Sequence, residues 1–85
     1  MDAAVRMGFV GIVVQNRSNA EEVNRILSCY GRVIRGLIGI PNPENESAVI
    51  GLITEGTNEE LGALTGKLGN VSGIIVKSAL VPIKK

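Results

Sequence analysis

Eighty-five residues with one cysteine, no histidine and two aromatic residues leave no internal disulfide, no Cys/His zinc site and no stacking platform for single-stranded nucleic acid. A formal net charge of +1 lacks the basic footprint of a nucleic-acid binder. One domain of this size buries only about 60–65% of its unfolded surface, so oligomerisation is the expected supplement to its core.

Residues 1–7 read as a loose lead-in, 8–82 as a single domain and 83–85 as a solvated tail. Residues 8–15 are predicted as the first strand, on the apolar run of Phe9, Val10, Ile12, Val13 and Val14. Asn16 and Arg17 turn the chain, and Ser18 with Glu21 makes a capping box. The helix that follows carries Ala20, Val23, Ile26, Leu27 and Tyr30 on one stripe, and Gly31 ends it. Residues 32–40 read as the second strand, with Ile34, Gly36, Ile38 and Ile40 on one face and Val33, Arg35 and Leu37 on the other. A polar loop, 41–47, leads to a third strand over 48–54. Thr57 with Glu60 makes a second capping box for a helix from about Asn58 to Leu68, closed by Gly69. Residues 74–81 form the fourth strand, and Pro82 ends it.

Strand, helix and strand are thus read twice. Val10-Gly11-Ile12-Val13 aligns loosely with Ile50-Gly51-Leu52-Ile53, either by internal duplication or because any two βαβ units look alike. Both origins give one architecture. It is an α+β, ferredoxin-like βαββαβ sandwich, with a four-stranded antiparallel sheet of order 4-1-3-2 and two helices on one face. Arg32, Arg35 and Lys77 fall on the predicted edge strands, where charge discourages stray pairing.

A sheet with one wet face should alternate apolar and polar residues. The central strands do not. The first offers Val10, Ile12 and Val14 against Phe9, Gly11 and Val13; the third offers Ala48, Ile50 and Leu52 against Val49, Gly51 and Ile53. Either a second subunit covers the spare face or a monomer leaves it bare, and large bare patches are rare on monomers. The interface residues expected are Val10, Ile12, Val49 and Ile53 on the sheet, with Gly62 and Gly66 on the second helix. Interior glycines cost a helix about 1 kcal/mol each. Close packing on the chain's own sheet or first helix explains them as well as a subunit or ligand contact does.

Catalytic chemistry is sparse. Cys29 has no histidine to activate it and reads as a packing residue on the first helix. The acidic residues fall in helix first turns and loops, where they serve caps and dipoles. There is no CxxC. Gly62-Ala63-Leu64-Thr65-Gly66-Lys67 lacks the spacing and the following Ser or Thr of a phosphate loop. No enzyme, cofactor or metal site is expected. The candidate effector-binding residues are Asn16, Arg17 and Ser18, which lead into the first helix, with Asn70 and Ser72 in the turn before the fourth strand. Arg17 could grip a carboxylate; the same residues also make an ordinary polar turn. The apolar run after Arg6 imitates a signal peptide, but Asp2 and the missing small-residue cleavage site argue against one. The run is too short to span a bilayer, and a lone cysteine suits a reducing compartment. The expected location is cytoplasmic, with no membrane or nucleic-acid partner.

Several stretches resemble the iron-only hydrogenase system regulators. They are Val10-Gly11-Ile12-Val13-Val14, Val23-Asn24-Arg25-Ile26-Leu27 with Tyr30, and Arg35-Gly36-Leu37-Ile38-Gly39-Ile40-Pro41. The most specific is Ala63-Leu64-Thr65-Gly66-Lys67-Leu68-Gly69-Asn70-Val71, followed by Gly73 and Val76-Lys77-Ser78-Ala79-Leu80. The resemblance implies an ACT-like fold and a homodimeric or homotetrameric regulatory module with a small effector at a subunit interface. Its alternative is an adaptor subunit that docks on a hydrogenase-maturation protein without a small ligand. The fold is also similar to the C-terminal domain of the nickel-responsive repressor, but without histidine that nickel site does not carry over. No DNA-binding arm is apparent, so regulation is expected through a ligand or a partner protein.

Overall fold

The computed structural model describes residues 5–42 and 44–83. In chain order these form β1 (Val5–Val14), α1 (Ala20–Cys29), β2 (Ile34–Pro41), β3 (Ala48–Thr57), α2 (Asn58–Gly69) and β4 (Ile74–Pro82). Short 3-10 turns, Arg17–Asn19 and Gly31–Val33, flank α1. All strand pairs are antiparallel, in the order β2-β3-β1-β4. This is the expected 4-1-3-2 sheet read from its other edge.

β1 begins three residues earlier than the predicted strand. Val5, Arg6 and Met7 pair with Thr57, Gly56 and Glu55 of β3, and Arg6 and Met7 also pair with Pro82 and Val81 of β4. Part of the expected lead-in is therefore sheet; residues 1–4 and 84–85 lie outside the described residues. Arg6 breaks the apolar pattern, and its guanidinium donates to Asn58 Oδ1 at 3.3 Å. Gly8 lets β1 and β4 meet, because a β-carbon there would overlap the Ala79 carbonyl oxygen.

The helices cover one face. Val10, Ile12 and Val14 of β1 and Leu52 of β3 are fully buried against Val23, Ile26 and Leu27 of α1 and Leu61, Leu64 and Leu68 of α2. Thr54 is the buried polar residue of this face, and its hydroxyl donates to the Gly8 carbonyl at 3.1 Å. An inward polar side chain is tolerable when it is bonded in this way.

Two local expectations are corrected. Ser18 does not cap α1. Asn19 is the N-cap and makes no side-chain cap bond, while Asn16 Oδ1 accepts from Ser18 N–H at 2.9 Å and caps the preceding 3-10 turn. The inserted turn moves the helix start past the Ser18–Glu21 spacing. The second correction is in β2. Ile34 pairs with Thr54 but Gly36 pairs with Ile53, so Arg35 is a bulged residue. One extra residue reverses side-chain parity. Ile34 therefore packs toward the core, while Gly36, Ile38 and Ile40 share the opposite face. The Thr57–Glu60 capping box forms as expected. Thr57 Oγ1 accepts from Glu60 N–H at 3.1 Å, and Glu60 Oε1 accepts from Thr57 N–H at 2.9 Å.

Candidate functional site

The ladder register brings the C-terminal ends of β1 and β2 beside the N-terminal ends of β3 and β4: Val14 faces both Ala48 and Ile74, and Pro41 faces Ala48. Three connections therefore meet at one end of the sheet. They are the turn after β1, the β2–β3 loop, and the turn between α2 and β4. Gln15 N–H donates to the Gly73 carbonyl at 2.9 Å, which ties the first connection to the third. Gly73 has φ +74°, a left-handed conformation that favours glycine, and the Asn19 side-chain amide lies close over it.

Arg17 crosses to the second connection. Its Nη2 donates to the Asn42 carbonyl at 3.1 Å, and its other guanidinium N–H groups make no bond among the described residues. The loop holds itself with short-range bonds: Asn42 Oδ1 accepts from Glu44 N–H at 2.9 Å, and Asn42 N–H donates to the Ser47 carbonyl at 3.0 Å. The folded chain thus gathers Asn16, Arg17 and Ser18 near the turn that carries Ser72. All four are exposed. Asn70 sits at the edge of this group as the C-cap of α2, with its N–H directed at the Gly66 carbonyl, 3.2 Å away. The patch offers amides, hydroxyls and one guanidinium, a chemistry suited to a small polar or anionic ligand.

Asn70 also lines a cleft of about 500 Å³ between the helices, with Arg25, Cys29, Tyr30 and Lys67. Sequence reading missed this cleft. Its residues are spread over two helices, and none stands out until the helices lie antiparallel. Arg25 is engaged by Glu22 one turn earlier, with Nε donating to Glu22 Oε1 at 3.1 Å. That hydrogen bond, aided by the guanidinium charge, holds the Glu22 carboxyl below the usual carboxylate range. Cys29 is exposed rather than packed. Among the described residues no three His, Cys, Asp or Glu side chains group to hold a metal.

The expected interface residues divide. Val10 and Ile12 are corrected: both are fully buried under the chain's own helices, because their parity is the one the α1 and α2 stripes cover. Val49 and Ile53 have the other parity and stand 54% and 51% exposed. Gly62 and Gly66 face outward, and among the described residues nothing lies within 4 Å of a β-carbon built on either. Packing among the described residues therefore does not explain them.

The chain matches the TM1266-like family model, described as "Iron-only hydrogenase system regulator, putative", over residues 6–78. It belongs to that family. The match runs from the second residue of β1 into β4, so both halves of the sandwich contribute to it. The structure of the uncharacterized protein TM1266 from Thermotoga maritima is similar at 38% identity and TM-score 0.81, covering 94% of this chain and 99% of that one. Two more distant structures share the fold. The ACT domain of the Chlorobium tepidum GTP pyrophosphokinase is 18% identical with TM-score 0.68, covering 89% of this chain and 99% of its own. The nitrogen regulatory PII-like protein CPII of Thiomonas intermedia K12 is 15% identical with TM-score 0.60, covering 93% and 94%. No curated protein matches the chain. No helix among the described residues of this family member is long and apolar enough to cross a membrane.

Proposed function

We propose that this member of the iron-only hydrogenase system regulator family is a small homo-oligomeric module. It binds a small polar or anionic effector at the loop end of the sheet, beside a subunit boundary, and acts in the cytoplasm. The observation that carries this reading is the gathering of Asn16, Arg17, Ser18 and Ser72 where three connections meet. The patch has donors for an anion and no nucleophile beside a base, which favours binding over turnover. A structure of the Thiomonas PII-like protein bound to ADP, AMP and bicarbonate shares the fold at 14% identity and TM-score 0.57. That likeness makes small anions and adenine nucleotides sensible first probes.

The test is a thermal-shift screen of amino acids, small carboxylates, bicarbonate, AMP and ADP. A specific ligand at a hundred times its Kd stabilises by about 2.7 kcal/mol, a readily measured rise in Tm. Arg17→Ala should reduce that rise while leaving the unliganded Tm within a few degrees. No response to any compound would overturn the effector reading. It would favour the adaptor alternative, with a hydrogenase-maturation protein as partner, which co-purification from the native cell detects.

A further inference from the structure

We infer that the sheet face away from the helices is a self-complementary interface, occupied by the same face of a second copy of this chain. This supplies the subunit boundary that the proposed function assumes, and it rests on that reading only in taking the chain to work as an assembly.

Cross-strand partners share a face, so the register sorts the exposed apolar side chains. Every large one except Leu37 lies on the side opposite the helices. Their exposures run from 37% at Val13 to 65% at Ile38. With ordinary side-chain areas they amount to roughly 800–900 Å² of apolar surface, against about 800 Å² per partner in a standard interface. The largest patch on a typical monomer is about 300–600 Å². No described element of the chain lies over this one.

The shape of the face suits another flat sheet. Gly11 and Gly51 pair at its centre, and the Phe9 ring lies across both. A β-carbon on Gly51 would come 2.9 Å from Phe9 Cε1, and one on Gly11 3.0 Å from Phe9 Cε2. The two glycines thus let the one large ring lie down instead of standing up. Beside it a shallow groove of about 380 Å³ runs along Gly36, Ile38 and Ile53. Two apolar sheets with such surfaces can approach to about 10 Å.

Charge agrees with a second copy as the occupant. Among the described residues the face carries Glu55, Arg35 and Lys77 as its charged side chains. Glu55 is paired with Arg35, 3.6 Å away. Lys77 lies on the edge strand β4, from which its long stem can carry the ammonium to the rim. A strongly acidic or basic partner would find no patch of a single sign to match, whereas an identical apolar face meets itself about a two-fold axis.

Light scattering at micromolar concentration, without any effector, tests this. The wild type should show a multiple of the 8.9 kDa protomer mass. Val49→Lys/Ile53→Lys should give one folded protomer, whereas Leu37→Lys, on the helix side of the edge strand β2, should keep the assembly. A second measurement stands if the double variant fails to fold. Phe9→Trp should emit as a buried indole when concentrated and shift to the red on dilution through dissociation. A wild type that is monomeric at micromolar concentration would overturn the inference. So would an assembly that survives Val49→Lys/Ile53→Lys, one that Leu37→Lys abolishes while the double variant does not, or an indole emission from Phe9→Trp that is indifferent to dilution. Failure of the ligand screen would leave these readings untouched.

Discussion

Gly62 and Gly66 give the sharpest test of how far the protomer accounts for its own sequence. Both lie inside α2, one turn apart, on the outward side of its Leu61, Leu64 and Leu68 stripe. Alanine at either position would place its methyl in open space. Each replacement recovers about 0.8–1 kcal/mol of helix propensity, and no clash opposes it. The double variant Gly62→Ala/Gly66→Ala should therefore gain roughly 1.5–2 kcal/mol. In a domain of this size that raises Tm by roughly 6–15 °C. Thermal and urea unfolding at one fixed protomer concentration measure it, with light scattering on the same samples because assembly contributes to apparent stability. A loss of stability together with a smaller assembly would refute the reasoning. It would mean that another backbone packs on this ridge and that the glycines are kept for that contact.

Three further outcomes follow from the fold. Gly8→Ala should cost roughly 2–4 kcal/mol in urea unfolding, because the new β-carbon collides with the Ala79 carbonyl and β1 must part from β4; a cost below about 0.5 kcal/mol would mean the strands separate freely there. Leu52→Ala, which empties a fully buried position between the sheet and both helices, should cost about 2–5 kcal/mol by the same assay. The Glu60 carboxyl titrates below its usual value, chiefly because Thr57 N–H donates to it; partial burial opposes this, and the Thr57 hydroxyl and the Arg32 charge assist. A depressed carboxylate stabilises the fold above its unfolded pKa, about 4.3, and that contribution is lost as pH falls through the folded value. Glu60→Gln should therefore flatten the decline of Tm below about pH 5; an unchanged acid limb would show that the carboxylate bond adds nothing.

The legible part of the chain was the part in which each local signal had one meaning. Thr57 and Glu60 sit at capping-box spacing with no competing Asn just before them, and the box formed. Val23, Ile26, Leu27, Leu61, Leu64 and Leu68 repeat with helical period, and all are buried. Two crossovers of one hand leave one sheet order, and the sheet has it. Ser18 and Glu21 show the limit. Their spacing also suits a capping box, but Asn16 two residues earlier closes a 3-10 turn that takes Ser18 N–H first.

The sheet faces lay beyond local pattern. Both parities of β1 and β3 are apolar, so the sequence by itself says that the strands are central and that two faces need cover. It does not say which face the helices take. The tertiary structure decided that by fixing how the helices cross the sheet, which buried Val10 and Ile12 and left Val49 and Ile53 outside. In β2 the decision turned on Arg35, whose bulge moved Ile34 to the core side and Gly36 to the other. A bulge is chosen by pairing with a neighbouring strand, and that neighbour is distant in the chain. The loop cluster has the same character. Gln15 and Gly73 become neighbours only when β1 and β4 lie side by side, because the register that joins them is a property of the whole sheet and not of either segment.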